Sequence, residues 1–255
     1  MKSLQDKVVW ITGGATGIGI GAARALGDAG AIIILSGRRQ SALDEAAQEL
    51  RAAGIQCETE ALDAADPQAV AKVGADIVSR HRAVDILIYS AGLNVPDRFL
   101  SQIGAEDWRR MVDVNLNGAM YCAKAVLPAM REQRSGLIIN ISSWGGKYVV
   151  RQAGSAYTAA KHAVVAFTES LNIEECVNGI RACVICPAEV STPFLDSRPL
   201  KPTEEQRQTF LQPEDLGRVI RCVAELPARA CVNEILISPT LNPLYVAQHQ
   251  KPAFA

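Results

Sequence analysis

An α/β fold, a single doubly wound parallel sheet with helices on both faces, is predicted by three observations. Short, β-rich apolar runs alternate with helical patterns to the end of the chain, the first run breaks at a glycine-rich turn that opens a helix, and no linker, repeat or composition shift divides the sequence. Wholly apolar strands separated by helices call for a parallel sheet buried on both faces.

Each element has its own signal. Lys7 to Thr12 is a strand by its run of β-formers; it stops at Gly13-Gly14, and a helical pattern then extends from Gly17 to Ala29. Ala31 to Ser36 is a second buried-type strand, Ser41 to Ala53 a helix closed by Gly54, and Ile55 to Leu62 a third strand. Pro67 falls in the first turn of the next helix, where a missing N–H leaves nothing unpaired. Val84 to Ser90 is the fourth strand, Glu106 to Arg131 one long helix, and Gly136 to Ser142 the fifth strand. Ser155 to Val177 forms a second long helix and Ile180 to Cys186 the sixth strand. Beyond a loop carrying Pro187, Pro193, Pro199 and Pro202, Pro213 to Leu226 reads as a helix and Val232 to Ser238 as the last strand.

Composition narrows the function. With 49% hydrophobic and 21% charged residues the chain has ample material for a core, which excludes a disordered protein. A formal net charge of -1, with both signs spread along the chain, gives no electrostatic footprint for nucleic acid or a membrane surface. No apolar run approaches the ~20 residues of a membrane span and the N-terminus lacks a signal-peptide core, so a cytoplasmic location is expected. The seven cysteines are scattered and read as reduced core thiols. Cys183 and Cys186 form a C-x-x-C, but inside a strand and without the helix N-terminus that lowers a redox thiol's pKa. The three histidines show no metal-ligand spacing, and no metal is expected.

Three motifs carry chemistry. The turn Thr12-Gly13-Gly14-Ala15-Thr16-Gly17-Ile18-Gly19 follows the first strand and opens a helix, where glycines admit a pyrophosphate to free N–H groups at the positive end of the dipole. Its spacing is G-x-x-x-G-x-G, and glycine in a tight α/β turn is also simply structural. At the end of the second strand, where an acid would hold the ribose 2′-hydroxyl of NAD, the chain has Arg38-Arg39. Two guanidinium groups there suit a 2′-phosphate, or else only solvate a loop. Tyr157 and Lys161 stand four residues apart on one helix face. A cation beside a phenol favours the phenolate and makes a proton donor and acceptor, although the spacing alone also fits an ordinary surface pair.

Together, in this order, the motifs resemble the short-chain dehydrogenase/reductase family, in its NADP-preferring form of about 250 residues, over residues 6 to 240. The resemblance implies a Rossmann-type domain spanning 1–255, with a seven-stranded parallel sheet in the order 3-2-1-4-5-6-7. It implies Tyr157 as general acid/base, Lys161 as the residue that lowers its pKa and holds the nicotinamide ribose, and Ser143, chosen over Ser142, as hydrogen-bond donor to the substrate oxygen. Asn115 matches the residue that anchors a water beside the lysine, and Asp63 the acid at the adenine. The cofactor set it implies is Gly13, Ala15, Thr16, Gly17, Ile18, Gly19, Arg38, Arg39, Asp63, Ala64, Ser90, Ala91, Gly92, Tyr157, Lys161, Pro187, Val190 and Thr192, binding NADP(H) in preference to NAD(H).

Two motifs depart from the family pattern: Ser90-Ala91-Gly92 replaces Asn-Ala-Gly, and Pro187-Ala188 replaces Pro-Gly. Residues 189–211 are expected to form a substrate lid, with Phe194 and Leu195 as apolar contacts and Leu93, Val95, Trp144 and Tyr148 lining the remainder. Lys147 and Arg151 are candidates to bind a carboxylate, which fits a small oxo or hydroxy acid, and the stretch from Leu226-Pro227-Ala228 to Thr240 resembles the branch that includes hydroxy-acid and small-aldehyde dehydrogenases. The two long helices carry apolar stretches, and in similar proteins these helices build dimer and tetramer contacts, so the resemblance implies a homotetramer or homodimer; the tail 241–255 either reaches across a neighbour or is disordered. A protein that binds NADP without turnover is the second reading, against which both Tyr157 and Lys161 stand. A sugar-nucleotide epimerase or dehydratase would need more chain after Pro187 than is present.

Overall fold

The computed structural model describes residues 2–247. Seven strands, β1 (Val8–Thr12), β2 (Ile32–Gly37), β3 (Cys57–Ala61), β4 (Ile86–Tyr89), β5 (Gly136–Ile141), β6 (Ile180–Pro187) and β7 (Glu234–Ile237), form one sheet. Every pairing is parallel, and the order is β3-β2-β1-β4-β5-β6-β7, as the family resemblance implies. The pleat sends alternate residues of β1 to opposite faces. Val9 and Ile11 join Ile33 and Leu35 in one core layer, while Trp10 joins Ile34, Leu87 and Tyr89 in the other.

Helices α1 (Gly17–Asp28), α2 (Gln40–Ala52) and α3 (Pro67–His81) make the first crossovers. Asp66 caps α3 by accepting from the N–H groups of Gln68 and Ala69, with Pro67 at the first helical position as expected. Next come α4 (Ala105–Val112), α5 (Gly118–Glu132), α6 (Ser155–Glu175), α7 (Glu204–Thr209), α8 (Pro213–Glu225) and α9 (Pro243–Val246). Helices α1 and α8 touch through glycines: a Cβ on Gly217 would lie 2.4 Å from the Gly21 carbonyl oxygen, and one on Gly21 2.2 Å from that of Pro213. No described helix is long and apolar enough to cross a membrane.

Two expectations need correction. The single helix expected from Glu106 to Arg131 is interrupted by a π turn, Asp113–Asn117, between α4 and α5. This wide turn leaves the Val114 carbonyl oxygen to accept from the Tyr89 hydroxyl and carries Asn115 fully inward. The strand expected over Val232 to Ser238 is the shorter β7, an edge strand paired only with β6. Cys183 and Cys186 sit on opposite faces of β6, in different core clusters, and burial raises both thiols. All seven cysteines are free.

Candidate active site

The strand order reverses between β1 and β4, and the crevice beyond their carboxyl ends is where an open α/β sheet receives a ligand. Thr12 ties the two strands there, its Oγ1 accepting from the N–H groups of Ser90 (3.3 Å) and Ala91 (3.4 Å). Gly13, at φ +65°, passes so close to β4 that a Cβ would meet Ala91 N and Ser90 O at 2.9 Å. Gly17 has φ +56°, and a Cβ on Gly19 would sit 2.3 Å from Gly13 O. Thr16 precedes α1 without a side-chain cap, so the first N–H groups of that helix remain available.

Arg38 and Arg39 follow β2, exposed and without an acidic partner among the described residues. Asp63 is exposed and accepts from Ala65 N at 3.0 Å, beside buried Ala64. A glycine cradle that a Cβ would fill, a helix N-terminus and two unpaired guanidinium groups fit a dinucleotide with an extra phosphate.

One cleft of about 370 Å³ joins these groups to Ser143, Tyr157 and Lys161. Gly13, Ala15, Thr16, Gly17, Ile18, Arg38, Arg39, Asp63, Ala64, Ser90, Ala91, Gly92, Ser143, Tyr157, Lys161, Pro187, Val190 and Thr192 all line it. Gly19 lies beneath the turn. Asn115 lies behind Gly92, where a Cβ would meet its Oδ1 at 3.0 Å and Lys161 Nζ at 3.6 Å.

Gly154, at φ +80°, launches α6 and places Tyr157 and Lys161 on successive turns. Lys161 Nζ donates to Ile141 O at 2.9 Å and lies 5.7 Å from the Tyr157 ring centroid. The two serines after β5 divide their work. Ser142 Oγ donates to Lys161 O at 2.9 Å and anchors the helix. Ser143 accepts from Gly145 N at 3.1 Å and lines the cleft with Tyr157. The Asn115 amide is committed to the protein, donating to Leu93 O and Met111 O, both at 2.9 Å.

Burial sets the proton affinities. It pushes the Tyr157 phenol up to about 12, against the influence of the Ser143 hydroxyl and the fields of Arg198 and Arg98. It pulls Lys161 down to about 8. At the phenol, desolvation outweighs the nearby charges.

The lid segment is not a bare loop: it holds a 3-10 turn, Pro193–Ser197, and α7, and its base closes where Ser191 N donates to Leu211 O and Leu211 N to Glu189 O. Phe194 packs 5.8 Å from Tyr157, ring to ring, and with Leu195 and Trp144 lines the cleft. Leu93 and Val95 pack in the small cluster around Tyr157, while Tyr148 is half exposed and stacks on Trp144 at 5.0 Å. Lys147 and Arg151 do not face the cleft. Lys147 pairs with Glu234 at 2.8 Å, and Arg151 lies over the Phe99 ring at 5.2 Å.

Arg98, Arg198 and Asn242 line the cleft without having been singled out in the sequence. Nothing marks them there, since each acquires its position from a tertiary contact. Within the tail, residues 241–247 fold back on their own chain, with Asn242 capping α9 and Tyr245 edge-on to Trp144 at 5.8 Å. The rest of the expected tail, 248–255, lies outside the described residues.

Residues 7–202 match the family described as short chain dehydrogenase. An uncharacterized oxidoreductase of Staphylococcus saprophyticus is 34% identical over 250 residues, covering 96% of this chain and all of that protein. Among solved structures, an alcohol dehydrogenase from the archaeon Thermococcus sibiricus, complexed with 5-hydroxy-NADP, is similar with a TM-score of 0.83 and 26% identity, covering 98% of this chain and all of its own. The closed form of a serine dehydrogenase complexed with NADP+ has a TM-score of 0.83 and 30% identity, covering 92% of this chain and 95% of its own.

Proposed function

The chain belongs to the short-chain dehydrogenase family, and from that premise we propose that it is an NADP(H)-dependent oxidoreductase interconverting an alcohol and a ketone or aldehyde. One observation carries the reading: Ser143, Tyr157 and Lys161 line the same cleft as the glycine turn and the two arginines. The similar alcohol dehydrogenase and serine dehydrogenase, bound to NADP-type cofactors, support it.

Bound in the cleft, the nicotinamide cofactor supplies or accepts a hydride. Gly13, Ala15, Thr16, Gly17, Ile18 and Gly19 would hold the pyrophosphate, Arg38 and Arg39 the 2′-phosphate, and Asp63 and Ala64 the adenine side. Ser90, Ala91, Gly92, Pro187, Val190 and Thr192 would flank the nicotinamide half. Ser143 donates to the carbonyl oxygen of the substrate and Tyr157 gives it the proton, in reverse for oxidation. A phenol with a pKa of about 12 is fully protonated at neutral pH, but it is a weak acid and a reluctant phenolate. Lys161, charged at neutral pH, is the group placed to ease that second state, and Asn115 holds the helix turn behind it. One domain carries both sites, with 189–211 as the lid over a small-molecule substrate.

Exposed Ile173 and Val177, 72% and 70% accessible, support a homodimer or homotetramer, and the cytoplasm is the proposed location on the sequence grounds given above. The test is NADPH oxidation, with NADH alongside, across oxo acids, aldehydes and ketones. Tyr157→Phe is expected to bind NADPH nearly as the wild type does but to lose at least ~100-fold in kcat, the scale of general acid catalysis. A near-normal rate would refute the assignment, and tight NADPH binding with no turnover of any carbonyl compound would favour a cofactor-binding scaffold.

A further inference from the structure

Arg98 is the most deeply buried arginine in the described chain, 3% exposed, yet it has no carboxylate partner among the described residues. Its guanidinium is held by backbone carbonyls alone: Nε donates to Val95 O (2.7 Å), Nη2 to Ser197 O (2.7 Å) and Nη1, at longer range, to Gln152 O (3.4 Å). These bonds fasten three segments together, the loop after β4, the loop before α6 and the lid, and they leave two of its five N–H donors unused. A buried charge is ordinarily paired, because desolvating an isolated ion is expensive.

A second cation faces the same cleft. Arg198, on the lid, pairs with Glu189 at 2.7 Å, and Gln152 Nε2 donates to the other carboxylate oxygen at 3.4 Å. Arg98 and Arg198 are close enough for the field of one to lower the proton affinity of the other, and both fields reach the Tyr157 phenol. Two guanidinium groups against one carboxylate leave a net charge of one positive beside the proposed proton donor.

Resting on the oxidoreductase reading above, we propose that Arg98 and Arg198 bind the carboxylate of the substrate, so that the compound reduced at Tyr157 is an oxo acid. A monoanion balances the net charge of the three groups. A dianionic phosphate would face Glu189 with an excess of negative charge, so the site selects a carboxylate. Arg98 supplies a fixed fork already held by backbone carbonyls, and Arg198 brings the lid down on the bound anion. The carboxylate role considered for Lys147 and Arg151 thus passes to these two arginines.

The experiment compares α-, β- and γ-oxo acids with their methyl esters, using NADPH-saturated enzyme, in the wild type, Arg198→Gln and Arg98→Lys. The expected result is a preference for one acid over its ester. Arg198→Gln lowers that acid-to-ester ratio of kcat/KM at least tenfold, chiefly through KM, and Arg98→Lys, which keeps the charge but loses the fork, lowers it less. Arg98 also staples three loops, so Arg198→Gln keeps the test valid if the Arg98 variant does not fold. Equal use of acid and ester by the wild type, or a ratio unmoved in Arg198→Gln, overturns the proposal. If no carbonyl compound turns over, the oxidoreductase reading is what fails. Calorimetry on NADP+-saturated enzyme then decides the site: butanoate binding that Arg198→Gln abolishes sustains it, and butanoate binding no better than butanamide overturns it.

Discussion

Replacing Lys161 by methionine should stabilise this protein at neutral pH while abolishing its activity. The ammonium is 3% exposed, has one carbonyl partner, and is pulled from 10.5 down to about 8 by burial. At about 1.4 kcal/mol per tenfold change in a proton equilibrium, keeping it charged in the fold costs ~3 kcal/mol. Methionine is similar in length, carries no charge, and gives up one hydrogen bond to Ile141 O, worth ~1 kcal/mol, so the net gain is ~2 kcal/mol. The sign of the pH dependence follows from linkage. Between about 8 and 10.5 the unfolded lysine binds a proton that the folded one has released, so wild-type stability rises with pH through that window. The advantage of Lys161→Met therefore shrinks above about pH 8 and reverses near about pH 10, where only the lost hydrogen bond remains. Urea denaturation of both proteins at one concentration, at neutral pH and at several alkaline values, measures this directly. A variant less stable than the wild type at neutral pH, or a difference that does not change with pH, would refute the reasoning.

Two further outcomes are expected. Replacing Arg38 and Arg39 together by alanine should weaken NADPH binding about tenfold, by loss of exposed charge-assisted contacts, and leave NADH little changed; equal losses in fluorescence titration would remove the 2′-phosphate assignment. Arg131 forms two hydrogen bonds to Glu175, which is 1% exposed and whose carboxyl this contact holds below its usual range. Because Arg131 is itself half exposed, Arg131→Met should destabilise the fold by less than the loss of one partner from a fully buried pair does. That loss should be full above the ordinary carboxylate range and fade as pH falls below it, since the depressed acid contributes stability only while ionised. A pH-independent loss in acid titrations of stability would contradict it.

The sheet could be read in advance because its strands are continuous apolar runs such as Ile32 to Leu35, and such runs fix their own burial. Strand ends were less legible: Gln56 and Leu62 bond neighbouring strands from just outside β3, so the apolar pattern overstates the strand. The π turn at Asp113–Asn117 has no sequence mark, because it depends on Gly118 making room for the Tyr89 hydroxyl, where a Cβ would lie 2.1 Å away. The glycine turn and the Tyr157 and Lys161 helix were legible because their chemistry is local, a matter of spacing along one element. Charged loop residues were not. Lys147 and Arg151 look like anion binders until Glu234 and Phe99 claim them, whereas Arg98 looks like any surface arginine until three loops close over it.

The base of the lid has a consequence for how such an enzyme changes. Val190 and Leu211 form a lone parallel bridge, and the paired backbone bonds around it clamp the two ends of the segment together. The length of chain between them is thereby uncoupled from the sheet, for a loop with fixed ends loses only ~0.6 kcal/mol more entropy for each doubling of its length. Insertions beyond Arg198, between Pro199 and Thr203, can reshape the roof of the cleft without disturbing the Phe194 packing on Tyr157, Lys161 or the glycine turn. Substrate range can drift across generations on this segment while the proposed hydride and proton chemistry beneath it stays fixed.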